Sequence, residues 1–146
     1  MSGVFPGNRV RVLFVIDADG LDANCFDRFN TCLESLARQT IVERLLVSIA
    51  DFSTDSVASR VEVPAVLGRD YFHRPIVDPF NKPFCINYAF KRFSIAQDPV
   101  FFFSDIDLVY PEDFAERYLD RYSRFSDTIC ATGMTFYQQE KDALYV

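Results

Sequence analysis

Two aspartates one residue apart, Asp105 and Asp107, follow the apolar run VFFF at residues 100–103. In extended backbone, residues two apart project to the same side, so both carboxylates can turn toward one cation. Their oxygens are hard donors, suited to Mg²⁺ or Mn²⁺ rather than to a thiophilic metal. An ion held there would clamp a diphosphate and neutralise the charge that builds as a bond from phosphate oxygen to carbon breaks. A D-x-D taken alone is more often a pair of solvated loop acids or a helix cap.

Two other acidic turns stand at the ends of apolar runs. Residues 10–16 (VRVLFVI) lead into Asp17-Ala18-Asp19-Gly20, and residues 45–50 (LLVSIA) lead into Asp51-Phe52-Ser53-Thr54-Asp55. Both runs read as strands buried on two faces of a parallel sheet. Between them, Phe26, Phe29, Leu33 and Leu36 are spaced three and four apart, which predicts a helix with Asp22 as its N-cap and its end near Gln39-Thr40. After Asp51 the pattern predicts a short helix toward Arg60, a weaker strand over 63–67, and a long loop from Gly68 to Lys82. Asn81 can cap the next helix, whose apolar stripe (Cys85, Ile86, Ala89, Phe90, Phe93) predicts a run to about Ala96. Residues 100–103 form a strand, Pro111 opens a helix with Phe114, Tyr118, Tyr122 and Phe125 on one side, and 128–132 and 134–137 add strand.

Strand and helix alternating in this way predict an α/β fold, with a mostly parallel sheet flanked by helices in one domain over residues 1–146. Ligands of such sheets bind beyond the carboxyl ends of the strands, where Asp17, Asp51 and Asp105 all fall. Like charge gathered on one rim is costly unless a cation or a donor-rich ligand balances it.

A net charge of −6 without a basic run excludes a nucleic-acid surface. Cys25, Cys32, Cys85 and Cys130 lack C-x-x-C pairing and fall on apolar faces, as buried reduced thiols do. No apolar stretch approaches the ~20 residues of a membrane span, and residues 1–12 lack a signal-peptide core, so the expected location is cytoplasmic. The phenylalanine stripes read as core, Gln39-Thr40 as a helix terminus, and His73, the single histidine, is given no role.

Four segments in order carry a family resemblance. FFFSDIDLVYP (101–111) resembles the apolar strand and D-x-D of GT-A glycosyltransferases, in the branch of beta-1,4-galactosyltransferases and chondroitin-polymerase-like enzymes. CLESLARQT (32–40) is similar to the helix and Q-T after the first strand of family 2 enzymes, and DFSTD (51–55) resembles their D-x-S-T-D turn. PFNKPFCINYAF (79–90) resembles the F-N-R and L-N-x-G-F segment before the D-x-D. The resemblance implies a Rossmann-like GT-A domain in which Asp105 and Asp107 hold Mn²⁺ or Mg²⁺. It gives Asp51 a nucleoside contact with Ser53 and Asp55 shaping the turn, places Asn81, Lys82 and Asp105 against the sugar nucleotide, and has Asn87 hold its segment or reach the donor. Local hydrogen bonding alone also explains Asp51, Ser53, Asp55 and Asn81 as helix starts.

The activity implied is transfer of a sugar from a UDP-sugar to a glycan or glycolipid acceptor. The resemblance covers the donor half only; the later acidic acceptor segment has no counterpart, so a partner domain or a homo-oligomer is expected to supply it. Lys82 stands where the family has arginine, exchanging a planar fork for a point charge, and the first strand end lacks the usual proline. Two other readings follow. One is a GT-A domain that binds a nucleotide without transfer, or depends on a partner. The other is a haloacid-dehalogenase-like phosphatase, since VLFVIDADGLD would make Asp17 nucleophile and Asp19 general acid, although Leu21 replaces its threonine.

Overall fold

The computed structural model describes residues 9–76, 80–95 and 100–124. The strands predicted for 128–132 and 134–137, together with Phe125, Cys130 and Glu140, lie outside the described residues.

Among the described residues four strands form one parallel sheet: β1 (Val10–Ile16), β2 (Leu45–Asp51), β3 (Gly68–His73) and β4 (Val100–Phe103), in the order β3-β2-β1-β4. They are accompanied by the α-helices α1 (Cys25–Ala37), α2 (Lys82–Arg92) and α3 (Phe114–Arg124). This is the α/β, Rossmann-like architecture that the strand and helix alternation requires.

Alternation along each strand divides the core in two. Val10, Val12, Phe14 and Ile16 of β1, with Leu45, Val47 and Ile49 of β2, pack with Phe26, Phe29, Cys32, Leu33 and Leu36 of α1. On the other face Leu13, Ala50, Phe52 and Phe72 pack with Cys85 and Ala89 of α2. β1 and β2 are covered on both sides, which is why they read as continuous apolar runs. Arg11 is the exception within β1: its guanidinium donates to Ser48 Oγ at 2.7 Å and to Asp70 Oδ2 at 3.0 Å. That chain of contacts joins β1, β2 and β3 and compensates the buried charge.

Several sequence expectations need correction. The outer strand β3 is Gly68–His73, inside the predicted loop, rather than 63–67. It is an edge strand whose Arg69 and Tyr71 are exposed and whose Asp70 and His73 are half-buried, so it lacks the apolar signature of its neighbours. Gly68 suits its start, because a Cβ there would lie 3.1 Å from Leu45 O. Residues 55–60 form bends and a turn closed by Arg60 N–H on Val57 O, without the predicted helix. Asp22 precedes the cap position, which is Asn24; Asp22 Oδ1 accepts from Asn24 N and its carboxylate pairs with Arg28. Helix α2 stops at Arg92, and Ser94 follows in the left-handed region at φ 56°. Helix α3 begins at Phe114, three residues after Pro111.

Candidate functional site

The strand order places the reversal of chain direction between β1 and β4: β2 and β3 extend one way from β1, and α2 carries the chain back to β4 on the other side. At such a switch point the loops leaving two adjacent strands part and open a crevice beyond their carboxyl ends. A cleft of about 270 Å³ lies there, lined by Asp17 and Leu21 after β1, Phe80 and Lys82 at the start of α2, and Asp105, Ile106 and Asp107 after β4. The D-x-D thus meets Asp17 and Lys82 although these residues are far apart in sequence.

Each member is held by identifiable contacts. Ser104 N donates to Leu13 O at 2.9 Å, continuing the pairing of β4 with β1 to the residue before Asp105. Ser104 Oγ donates to Asp105 O at 2.8 Å, and the Tyr110 hydroxyl, 2.5 Å from Ser104 Oγ, donates to it in turn. Burial pushes the Tyr110 phenol well above its ordinary range, keeping it a donor. Lys82 is the first residue of α2. Asn81 Oδ1 accepts from Phe84 N at 3.1 Å, the N-cap that its sequence position predicts. The Lys82 ammonium forms an ion pair with Asp105 Oδ1, and both side chains are about half-exposed.

Helix α1 fastens the loop after the D-x-D. Cys32 and Ser35 lie on one face of α1 and Gln39 follows just past its end, and all three are buried. Cys32 Sγ contacts Asp105 O at 3.9 Å, Ser35 Oγ accepts from Tyr110 N at 3.0 Å, and the Gln39 amide donates to Pro111 O while its Oε1 accepts from Ala115 N at 2.8 Å. Gln39, just beyond the end of α1, therefore caps the start of α3. Burial drives the Cys32 thiol up to about 12, so it is a packed thiol rather than a nucleophile.

A second constellation occupies the rim over β2. Asp51 is fully buried; its Oδ1 accepts from Ser53 N at 3.0 Å and its Oδ2 from Val57 N at 2.8 Å and Tyr71 Oη at 2.6 Å. Ser53 Oγ accepts from Ala18 N at 2.8 Å, and His73 Nε2 donates to Ser53 O, also at 2.8 Å. Asp19 accepts from both the N–H and the hydroxyl of Thr54. These contacts stitch the turn after β1 to the turn after β2. Burial raises the Asp17 carboxyl above the ordinary aspartate value, the charges of Asp19 and Asp51 add to this, and the hydrogen bond from Asp19 N opposes it.

Of the residues expected at a site, Lys82, Asp105 and Asp107 share the cleft. Asp51 and Ser53 are buried as organisers of the neighbouring turn, Asp55 is exposed on it, Asn81 caps α2, and Asn87 is exposed on α2 away from the cleft lining. Sequence reasoning gave no part to Phe80, whose ring is 42% exposed in the cleft wall, nor to His73 and Tyr71, which brace the Asp51 turn. For Phe80 the available signal was its neighbour Asn81: a residue just before a helix cap lies outside the helix stripe and need not be core.

No known protein-family model matches the sequence, and no curated protein matches it. In three dimensions the chain is similar to S. aureus TarS, with 16% sequence identity and a TM-score of 0.54, over 89% of this chain and 23% of that chain. TarS is a glycosyltransferase. What the two share is the α/β, Rossmann-like architecture. At this identity the likeness is one of fold, and the chain spans under a quarter of TarS.

The D-x-D pattern implies a hard divalent cation on this cleft. Among the described residues no three His, Cys, Asp or Glu side chains gather as a metal cage. Two accessible carboxylates on one cleft nevertheless fit Mg²⁺ or Mn²⁺, which take one or two protein carboxylates and complete their shell with water and phosphate. No helix among the described residues is long and apolar enough to cross a membrane.

Proposed function

We propose that this chain is the nucleotide-sugar-binding part of a metal-dependent glycosyltransferase, which transfers a sugar from a UDP-sugar to a glycan or glycolipid acceptor. The observation that carries the reading is the meeting of Asp105, Asp107, Asp17 and Lys82 on one cleft at the switch point of the sheet. The likeness in fold to TarS, a glycosyltransferase, supports it.

Asp105 and Asp107 would hold Mn²⁺ or Mg²⁺, which supplies charge neutralisation for the departing diphosphate. Lys82 adds a cation at the N-terminal end of α2, where the helix dipole also favours negative charge. The Asp51 turn fixes the rim on which the exposed Asp55 stands, so a nucleoside contact there would fall to the outer face of the turn, with Asp51 and Ser53 supporting it from within. Phe80 and Leu21 offer apolar walls to a ring-shaped ligand.

The phosphatase alternative requires Asp19 as a proton donor, but both its oxygens accept from Thr54 and it does not line the cleft. Calorimetry of UDP binding tests the proposal. Binding is expected with Mn²⁺ or Mg²⁺ and is expected to vanish in EDTA; equal affinity in both conditions rules out the metal bridge.

A further inference from the structure

The acidic cleft already contains a cation of its own. Lys82 Nζ sits on Asp105 Oδ1, the carboxylate that the proposed function assigns to the metal, and the inference below rests on that proposal. The pair is half-exposed, with side chains 51% and 45% accessible, and exposed ion pairs hold their partners weakly. The Lys82 backbone is pinned: Asn81 caps the helix and Pro83 occupies its first turn. Its four-carbon stem is flexible, so the ammonium can leave Asp105 without any movement of α2.

Charge decides where the ammonium goes. Asp17, Asp105 and Asp107 line the cleft against the single ammonium of Lys82, leaving the cleft negative. A divalent ion approaching Asp105 meets a positive charge already bound to it. Once the ion occupies Asp105 and Asp107, the attraction left for Lys82 comes from Asp17 and from the ligand's own phosphate charge, the larger of the two. We infer that Lys82 and the divalent cation are alternative counter-ions of Asp105, and that metal entry transfers the Lys82 ammonium from Asp105 to the diphosphate. Metal and nucleotide then bind with positive coupling, each raising the affinity of the other by the same factor.

Lys82→Met separates the two halves of this exchange. Without nucleotide, the variant is expected to bind Mn²⁺ about 1.5- to fivefold more tightly than wild type, the range an exposed ion pair can mask. At saturating Mn²⁺ it is expected to bind UDP several-fold more weakly, because the released ammonium is gone. A purely structural role for Lys82 would move both affinities in one direction. Lys91→Met, at the opposite end of α2, removes the same charge away from the cleft and is expected to alter neither.

Mn²⁺ titration of the full chain, followed by electron paramagnetic resonance of the free ion, reads the first affinity, and calorimetry with UDP reads the second. Opposite changes in Lys82→Met with a silent Lys91→Met support the exchange. Equal or weaker Mn²⁺ binding by Lys82→Met, or equal tightening by Lys91→Met, overturns the exchange while the metal reading stands. Unchanged UDP affinity overturns the transfer to the diphosphate. Absence of Mn²⁺ binding in every protein overturns both.

Discussion

Tyr71 Oη donates to Asp51 Oδ2 at 2.6 Å, joining the edge strand β3 to the turn that ends β2. The same carboxylate takes two backbone N–H groups, so the turn is assembled around one buried charge. Tyr71→Phe removes a hydrogen bond to a charged acceptor, which contributes on the order of 1.5–3 kcal/mol. Asp51→Asn substitutes an amide for one accepting oxygen, and Asp51→Ala leaves its buried donors unpartnered. Chemical denaturation should rank Asp51→Ala below Tyr71→Phe, and a double-mutant cycle should show the two positions coupled; additive losses would contradict a shared network.

The same pair gives an alkaline signature. Burial, followed by the hydrogen bond to Asp51, pushes the Tyr71 phenol up to about 12 from an ordinary value of 10. A group whose folded value is raised contributes stability that is complete below the unfolded value and lost as pH climbs to the folded one. Melting temperature should therefore fall between pH 10 and 12, and Tyr71→Phe should flatten that segment. An unchanged slope would show that other groups govern it.

Binding variants separate the acidic turns. Asp105→Ala and Asp107→Ala should each abolish metal-dependent UDP binding, since a Mg²⁺ or Mn²⁺ site with two protein carboxylates has no spare ligand. Asp19→Ala should keep most of the binding and lose about 1 kcal/mol of stability with the Thr54 contacts. The phosphatase alternative demands the reverse order, with phosphomonoester hydrolysis that disappears in Asp17→Asn. Calorimetry and a generic phosphatase assay on the same four proteins decide between them.

Gln39 links α1 to the loop that carries the D-x-D. Gln39→Ala strands the buried Ala115 N–H, while Pro111 O keeps its bond from Phe114 N; the unpartnered donor costs roughly 1–3 kcal/mol. Urea denaturation should show a loss of that size, with hydrogen exchange accelerated in α3. Normal protection of the α3 amides would mean that the packing of Phe114 and Tyr118 on Phe102 is sufficient by itself.

What the sequence revealed, and what it hid, has a physical pattern. β1 and β2 were legible because strands at the centre of a parallel sheet are apolar, β4 because VFFF is a continuous apolar run, and α1 and α2 because Phe29 to Leu36 and Cys85 to Ala89 keep helical spacing. β3 was hidden by its composition: Arg69, Asp70 and His73 are loop-like residues, and only pairing with β2 makes them a strand. The site divides the same way. Asp105 and Asp107 form a local pattern, whereas the pairing of Lys82 with Asp105 spans 23 residues and depends on α2 crossing back to β4. Asp51 was recognised as important but its burial was not, because three donors converge on it from Ser53, Val57 and Tyr71, the last of them on the strand that was missed. Gln39 was read as a helix end for the same reason: its partners Pro111 and Ala115 lie over 70 residues away.

Asp17 should trade stability for binding. Its carboxyl is raised by burial and by the neighbouring charges of Asp19 and Asp51, so the folded protein disfavours its ionised form. With a raised folded value, the stabilising contribution is complete below the ordinary aspartate value and is lost as pH rises through the folded one; at neutral pH the ionised side chain opposes folding. Asp17→Asn keeps an oxygen able to accept from Asp19 N and removes the charge. The variant should melt higher than wild type at pH 7, and the difference should shrink toward pH 3, where both side chains are neutral. If Asp17 serves the cleft, the same substitution should weaken Mn²⁺ binding, since one of the three carboxylates lining it is lost. Thermal denaturation across pH, paired with Mn²⁺ titration at pH 7, measures both sides. A variant that is more stable and binds more weakly fits a residue retained for its charge despite its cost to folding; a variant that is less stable at pH 7 would contradict the assigned cause of the shift.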